Sequence, residues 1–193
     1  GERLHELALR ATSRVIYNKF WTPTMNQKTK VSKDLEQKTL SIERSFATTK
    51  EKLWQVYTDK ALFEAWWGPE GWETTTKEFD FRPGGRIHYG MKCVDPNQTE
   101  WFGKQSWGVM EIETIDDQHM FVARDFFCDA DGSLTPGMPS QKFIVELVEE
   151  NGQIRLINRS LVDSAEQLEV LMKMGMVEGF DSQLNKLEAL LVK

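Results

Sequence analysis

Along most of this chain, apolar and polar residues alternate with a period of two. Leu40, Ile42, Arg44 and Phe46 alternate with Thr, Ser and Glu, which predicts a strand over Thr39–Ala47. The period then lengthens. Thr48, with Glu51 three residues on, reads as a capping box opening a helix whose apolar face is Leu53, Val56 and Tyr57. Asp59 caps a second short helix, Lys60–Trp66, which stops at Gly68-Pro69. Six strands follow: Trp72–Phe81, Arg86–Val94, Ser106–Ile115, His119–Asp129, Lys142–Glu149 and Gln153–Val162. The breaks between them are turn-like: Arg82-Pro83-Gly84-Gly85, Asp95-Pro96-Asn97, Asp116-Asp117, Ala130-Asp131-Gly132 and Asn151-Gly152. Strands joined by short turns pair antiparallel.

The last element is expected to be one long helix, Ala165–Val192, capped by Asp163 or Ser164. Apolar or small residues recur at Leu168, Leu171, Met172, Gly175, Met176, Gly179, Phe180, Leu184, Leu187 and Leu191. At 1.5 Å per residue it would run roughly 42 Å, enough to cross a small domain. It must lie across the sheet, because nothing else covers that face. The class is therefore α+β: a curved antiparallel sheet wrapped around a C-terminal helix, with space between them at one end. Residues 40–193 make this domain.

Residues 1–39 read as an extension. Leu4, Leu7, Ala8, Ala11 and Val15 have helical spacing over Glu2 to about Tyr17, Pro23 ends that helix, and 22–39 is a polar, Lys-rich linker. The stripe fits a docking or homodimerisation segment, the Arg-rich, acid-poor helix resembles a transit peptide, and upstream sequence ahead of a start at Met25 is the plain alternative. The extension is basic, while residues 40–193 carry a net charge of −10 of the chain's −6. An acidic domain argues against nucleic-acid or anionic-membrane binding. No apolar run approaches a membrane span, and Cys93 and Cys128 are read as small buried residues in a reducing compartment, so a cytoplasmic location is expected.

Three tryptophans, Trp66, Trp67 and Trp72, gather at the Gly-Pro corner. They form either an aromatic gate to a cavity or a packed helix-to-strand corner. Alternation puts Phe143, Val145 and Leu147 on one face, and Ile154, Leu156, Asn158 and Ser160 on another, so that Asn158 and Ser160 point inward. Met120, Val122, Arg124 and Phe126 are read as a similar inward set, with Arg124 either at the polar end of a pocket or paired at the sheet edge. Met172 and Met176 share a helix face with Gly175 and Gly179, as a soft cavity wall or as core filling. His88, with Arg86, Gly90 and Lys92 on its face, looks solvated. The histidines and cysteines have no metal-ligand spacing, and there is no nucleophile elbow, phosphate loop or dinucleotide fingerprint.

This order of elements resembles the helix-grip superfamily of START, SRPBCC and polyketide-cyclase-like domains. Within it the chain is most similar to the family named for homologues of the activator of the heat-shock-protein-90 ATPase. The resemblance rests on Trp66-Trp67-Gly68-Pro69, on Phe79-Asp80-Phe81-Arg82-Pro83-Gly84-Gly85, on the run Gly108 to Ile112, and on Gly175 to Phe180 followed by Leu184, Leu187 and Leu191. That family often has Trp where Phe180 stands. The resemblance implies cofactor-free binding of a small, largely apolar molecule between sheet and helix. It also admits a cyclase- or hydratase-type enzyme using the same cavity, or a co-chaperone-like module with a chaperone partner. A homodimer through the extension or the tryptophan corner is a further expectation. No catalytic residue or metal ligand is assigned. The expected ligand-binding residues are Trp66, Trp67, Trp72, Trp107, Arg124, Phe126, Phe143, Asn158, Met172, Gly175, Met176 and Gly179.

Overall fold

The computed structural model of the chain describes residues 26–193. The helix expected over Glu2–Tyr17, with its docking, dimerisation and leader readings, lies outside them. Eight strands form one antiparallel sheet: β1 (Lys30–Asp34), β2 (Thr39–Phe46), β3 (Trp72–Phe79), β4 (Arg86–Cys93), β5 (Gln105–Asp116), β6 (Met120–Cys128), β7 (Gln141–Glu150) and β8 (Gln153–Leu161). Their order is β1-β2-β8-β7-β6-β5-β4-β3. Helices α1 (Lys50–Thr58) and α2 (Lys60–Trp66) follow β2, and α3 (Ala165–Lys173) and α4 (Met176–Leu191) end the chain.

Two expectations are corrected. Residues 30–34 are not linker but an edge strand, pairing Lys30 with Glu43 through Asp34 with Thr39. All five are exposed, so no apolar alternation marked them. The C-terminal helix is not continuous. Gly175 has φ +82°, a left-handed conformation that an L-residue adopts only with strain. The Gly175 N–H donates to the Met172 carbonyl, closing α3, and the Gly175 carbonyl accepts from the Gly179 N–H, opening α4. A smaller shift concerns α1, where the cap is Thr49 rather than Thr48, its side chain accepting from the Lys52 N–H. Asp59 and Ser164 cap their helices as expected.

The inner face of the sheet packs on all four helices. Leu40, Ile42, Phe121, Phe143, Leu147 and Leu156 meet Leu53, Phe63, Trp66, Leu168, Leu184 and Leu187 in a single buried core. Tyr57 lies edge-on to Trp66, with ring centroids 5.1 Å apart. Cys93 and Cys128 are free and buried.

One charged group is set into this core. Arg44, on the inner face of β2, is fully buried and meets the equally buried Asp181 of α4 at 2.8 Å. Its remaining donors reach Thr29 Oγ1 and Asn185 Oδ1, and the Asn26 N–H donates to the other Asp181 oxygen. With both carboxylate oxygens and all three guanidinium nitrogens hydrogen-bonded, the pair tolerates burial; removing one partner strands a charge in a low-dielectric interior. Asp181→Ala is therefore expected to lower the unfolding free energy by about 3–5 kcal/mol, measured by urea denaturation. A loss below about 1 kcal/mol would show that α4 is held mainly by its apolar face.

Candidate functional site

Sheet and C-terminal helices diverge around a cavity of about 110 Å³. Strands β2, β4, β6, β7 and β8 supply Ile42, Tyr89, Met91, Asp125, Phe127, Gln141, Phe143, Asn158 and Ser160. The helical side supplies Leu171, Met174, Met176, Phe180 and Gln183, and Trp67 closes the wall after α2. The break at Gly175 shapes this wall. In a continuous helix residues 174 and 176 would point roughly 160° apart. The left-handed residue between them lets Met174 and Met176 both line the cavity.

The tryptophan corner divides its labour. Trp66 is fully buried and its Nε1 donates to the Val56 carbonyl at 2.9 Å. Trp72 is also buried, its Nε1 donating to Gln98 Oε1 at 3.1 Å. Only Trp67 faces the cavity, stacked on Phe63 with centroids 4.9 Å apart. Helix α4 fastens the corner. The Gly68 N–H donates to Gln183 Oε1 at 2.8 Å and the Glu70 N–H to Ser182 Oγ at 3.2 Å. Lys186 Nζ donates to the carbonyls of Gly68 at 3.2 Å and Trp72 at 3.1 Å. Burial pushes Lys186 down to about 8, with the charges of Glu70 and Glu73 acting in the opposite sense.

The polar groups of the cavity come from four strands and one helix. Tyr89 of β4 crosses the intervening strand β5 and donates its hydroxyl to Asp125 Oδ1 of β6 at 2.9 Å. It crosses at Gly108, where an added Cβ would stand 2.5 Å from the Tyr89 hydroxyl. Burial raises the Asp125 carboxyl to about 7, opposed by hydrogen bonds from Tyr89 and Gln141. Three further buried atoms have no hydrogen-bond partner among the described residues: Gln141 Oε1, Asn158 Oδ1 and Gln183 Nε2. Buried polar atoms are normally satisfied, and these three belong to residues that line the cavity.

Residues 47–192 match the family described as "Activator of Hsp90 ATPase homolog 1-like protein". The chain belongs to this family. Among solved structures, protein Ms6760 from Mycobacterium smegmatis is similar at 34% identity, with a TM-score of 0.75 over 84% of this chain and 96% of that one. A protein from Arthrobacter aurescens is similar at 27% identity, with a TM-score of 0.75 over 84% and 91%. A protein from Staphylococcus epidermidis, 23% identical with a TM-score of 0.70 over 83% and 92%, shares the fold. No curated protein matches the chain. The motifs that carried the resemblance to the Activator of Hsp90 ATPase homolog 1-like family now have structural places. Trp66 to Pro69 is the corner gripped by α4, Gly108 is the floor beneath Tyr89, and Gly175 is the helix break.

Of the residues expected at the site, Trp67, Phe143, Asn158 and Met176 line the cavity. Trp66 and Trp72 are structural, as described. Trp107, Arg124 and Phe126 lie on the opposite face of the sheet, where Trp107 pairs with Cys128, Val109 with Phe126 and Glu111 with Arg124. Arg124 Nε sits 3.7 Å from Glu113 Oε1, beside Lys142. Both faces of β6 are mostly apolar and each carries one charge, so alternation alone did not choose between them. Phe121, Ala123, Asp125 and Phe127 are the inward set. Met172 packs on the core without lining the cavity, Gly175 supplies the break, and Gly179 is buried within α4.

His88 is not solvated: it is buried on the outer face, 5.2 Å from the Trp107 ring, with Nε2 3.2 Å from the Asp129 carbonyl. Tyr89 and Met91 were legible as the face opposite His88, whereas Asp125, Gln141 and Gln183 carried no sequence signal.

The raised Asp125 carboxyl gives the fold a pH dependence. Below about pH 4 it is protonated in both folded and unfolded chains, and burial costs little. Between about 4 and 7 the unfolded chain releases a proton that the folded one retains, so stability falls as pH rises. Asp125→Asn removes this loss while keeping an acceptor for Tyr89. The variant should match the parent near pH 4 and exceed it by about 2–4 kcal/mol at pH 8, read from denaturation curves at both pH values.

Proposed function

We propose that the protein binds a small, largely apolar molecule with a polar end in the cavity between sheet and C-terminal helices, without a cofactor. One observation carries this reading. Walls made of Trp67, Met91, Phe127, Phe143, Met174 and Phe180 are interrupted by the polar side chains of Gln141, Asn158 and Gln183, each with one atom that has no partner among the described residues. A purely structural core would gain by replacing them with apolar groups. Mostly apolar walls with a few polar groups that fix orientation are the usual build of a small-molecule site. The size points to a compact ligand: an engineered core cavity of about 150 Å³ in another protein admits benzene.

An enzyme using the same cavity is the second reading, favoured by the Tyr89–Asp125 pair. Two titratable side chains meet there at 2.9 Å, and a carboxyl that titrates at about 7 can both give and take a proton. The chaperone-type role named in the family's description has less support here. It asks for an exposed apolar patch, and Trp66, Trp67 and Trp72 are only 0%, 9% and 3% exposed.

Native mass spectrometry of freshly purified protein, followed by a thermal-shift screen of small apolar compounds, tests the binding reading. A bound molecule, or a compound that raises Tm with saturable dependence, is expected. Asn158→Leu should leave the Tm of the empty protein unchanged or slightly raised while abolishing ligand-induced stabilisation. A ligand shift undiminished in that variant would place the ligand elsewhere.

A further inference from the structure

Given that the cavity binds a small molecule, two residues of β8 set what its polar end must be. Asn158 and Ser160 line the cavity and are 9% and 6% exposed. Their cross-strand neighbours are apolar on both sides: Ile42 and Val145 flank Asn158, and Leu40 and Phe143 flank Ser160. The strands beside them therefore offer neither side chain a polar partner. Asn158 Nδ2 and Ser160 Oγ make no hydrogen bond to any described residue. Neither atom is sealed into the packing, since the enclosed unpartnered atom of Asn158 is Oδ1 and Ser160 has none. Two positions apart on one strand, the two side chains leave the same face about 7 Å apart. One atom between them is within reach of both. An amide nitrogen only donates, and a hydroxyl is free to donate.

We propose that the occupant is a small neutral carbonyl compound, a ketone, aldehyde or ester, whose oxygen accepts from Asn158 Nδ2 and Ser160 Oγ together. The two lone pairs of a carbonyl oxygen match the two donors. A hydroxyl that accepted from both would turn its own proton toward apolar walls and leave it unpaired. A carboxylate would enter without a countercharge. None of the residues lining the cavity is Lys, Arg or His, and one, Asp125, is an acid. Two basic side chains at the C-terminal helices are engaged elsewhere, Arg44 with Asp181 and Lys186 with the carbonyls of Gly68 and Trp72. An unpaired anion in such surroundings costs more than its hydrogen bonds return. The rest of the molecule packs on the apolar walls, among them Phe143 beside Ser160.

Cyclopentanone, cyclopentanol and cyclopentanecarboxylate share one small ring and differ at the polar end. Titrated into the full chain at about pH 7 by calorimetry, the ketone is expected to bind at least about fivefold more tightly than the alcohol, and the carboxylate not at all. Infrared difference spectra of the bound ketone should place its carbonyl stretch below the frequency in hydrocarbon solvent. Ser160→Ala removes a hydroxyl that no described residue uses, so the empty variant should keep its Tm. In that variant the ketone-to-alcohol affinity ratio should fall to about one, and the stretch should move part of the way back. Equal ketone and alcohol affinities in the parent, a tighter alcohol, a carboxylate that binds as well as the ketone, or a stretch unmoved by Ser160→Ala overturns the carbonyl assignment. Each of these leaves small-molecule binding standing. If none of the three probes binds at millimolar concentration, the carbonyl assignment fails, and the binding reading fails with it when the thermal-shift screen is also empty.

Discussion

The position of α4 governs the rest of the molecule, and buried polar contacts set that position. Leu184 and Leu187 bury an apolar stripe against the sheet, but a leucine stripe alone tolerates sliding and rotation. Arg44 and Asp181 tie the helix to β2 at one point. Gln183, Ser182 and Lys186 tie it to the backbone of the tryptophan corner at another. These groups have directional requirements, and a helix shifted by one residue would leave a buried charge and several backbone polar groups unmatched. The helix is thus held in one register, and the cavity beside it keeps a defined wall.

Gln183 joins both roles. Its carbonyl oxygen accepts from the Gly68 N–H, and its nitrogen is one of the unsatisfied atoms at the cavity. An occupant that engaged that nitrogen would touch the same side chain that locks the corner. Tyr89 does similar work on the sheet side: its hydroxyl reaches Asp125 only because Gly108 leaves the strand between them bare. The site is assembled from β4, β6, β7, β8 and α4, elements far apart in the chain and brought together by the curl of the sheet and the docking of α4.

Much of the fold was legible because its signals are local. Asn151-Gly152 marks a hairpin, Asp59 and Ser164 cap helices, and the alternation of Phe143, Val145 and Leu147 names the inner face of β7. The motifs around Trp66–Pro69, Gly108 and Gly175 were visible as family marks before their uses were known. Part of the cavity wall followed. Asn158 and Ser160 were read as inward polar groups, and Phe143 and Met176 as wall. Two errors have one origin each. The exposed edge strand β1 buries nothing, so no apolar pattern announced it. Arg124 and Phe126 were placed inward because β6 is mostly apolar on both faces and each face carries one charge.

By itself the sequence determined the class, the succession of elements from β2 to the C-terminal helical segment, the family and the apolar character of the interior, because periodicity, caps and turns act over a few residues. The tertiary structure decided which face of β6 looks inward. It also decided that Trp67 alone of the corner tryptophans meets the cavity, and that Gly175 breaks the last helix and turns Met174 and Met176 the same way. It alone brought Tyr89 to Asp125 and left Gln141, Asn158 and Gln183 with unmatched atoms. These outcomes depend on pairing register and helix docking, contacts between residues tens of positions apart, on which local patterns have no purchase.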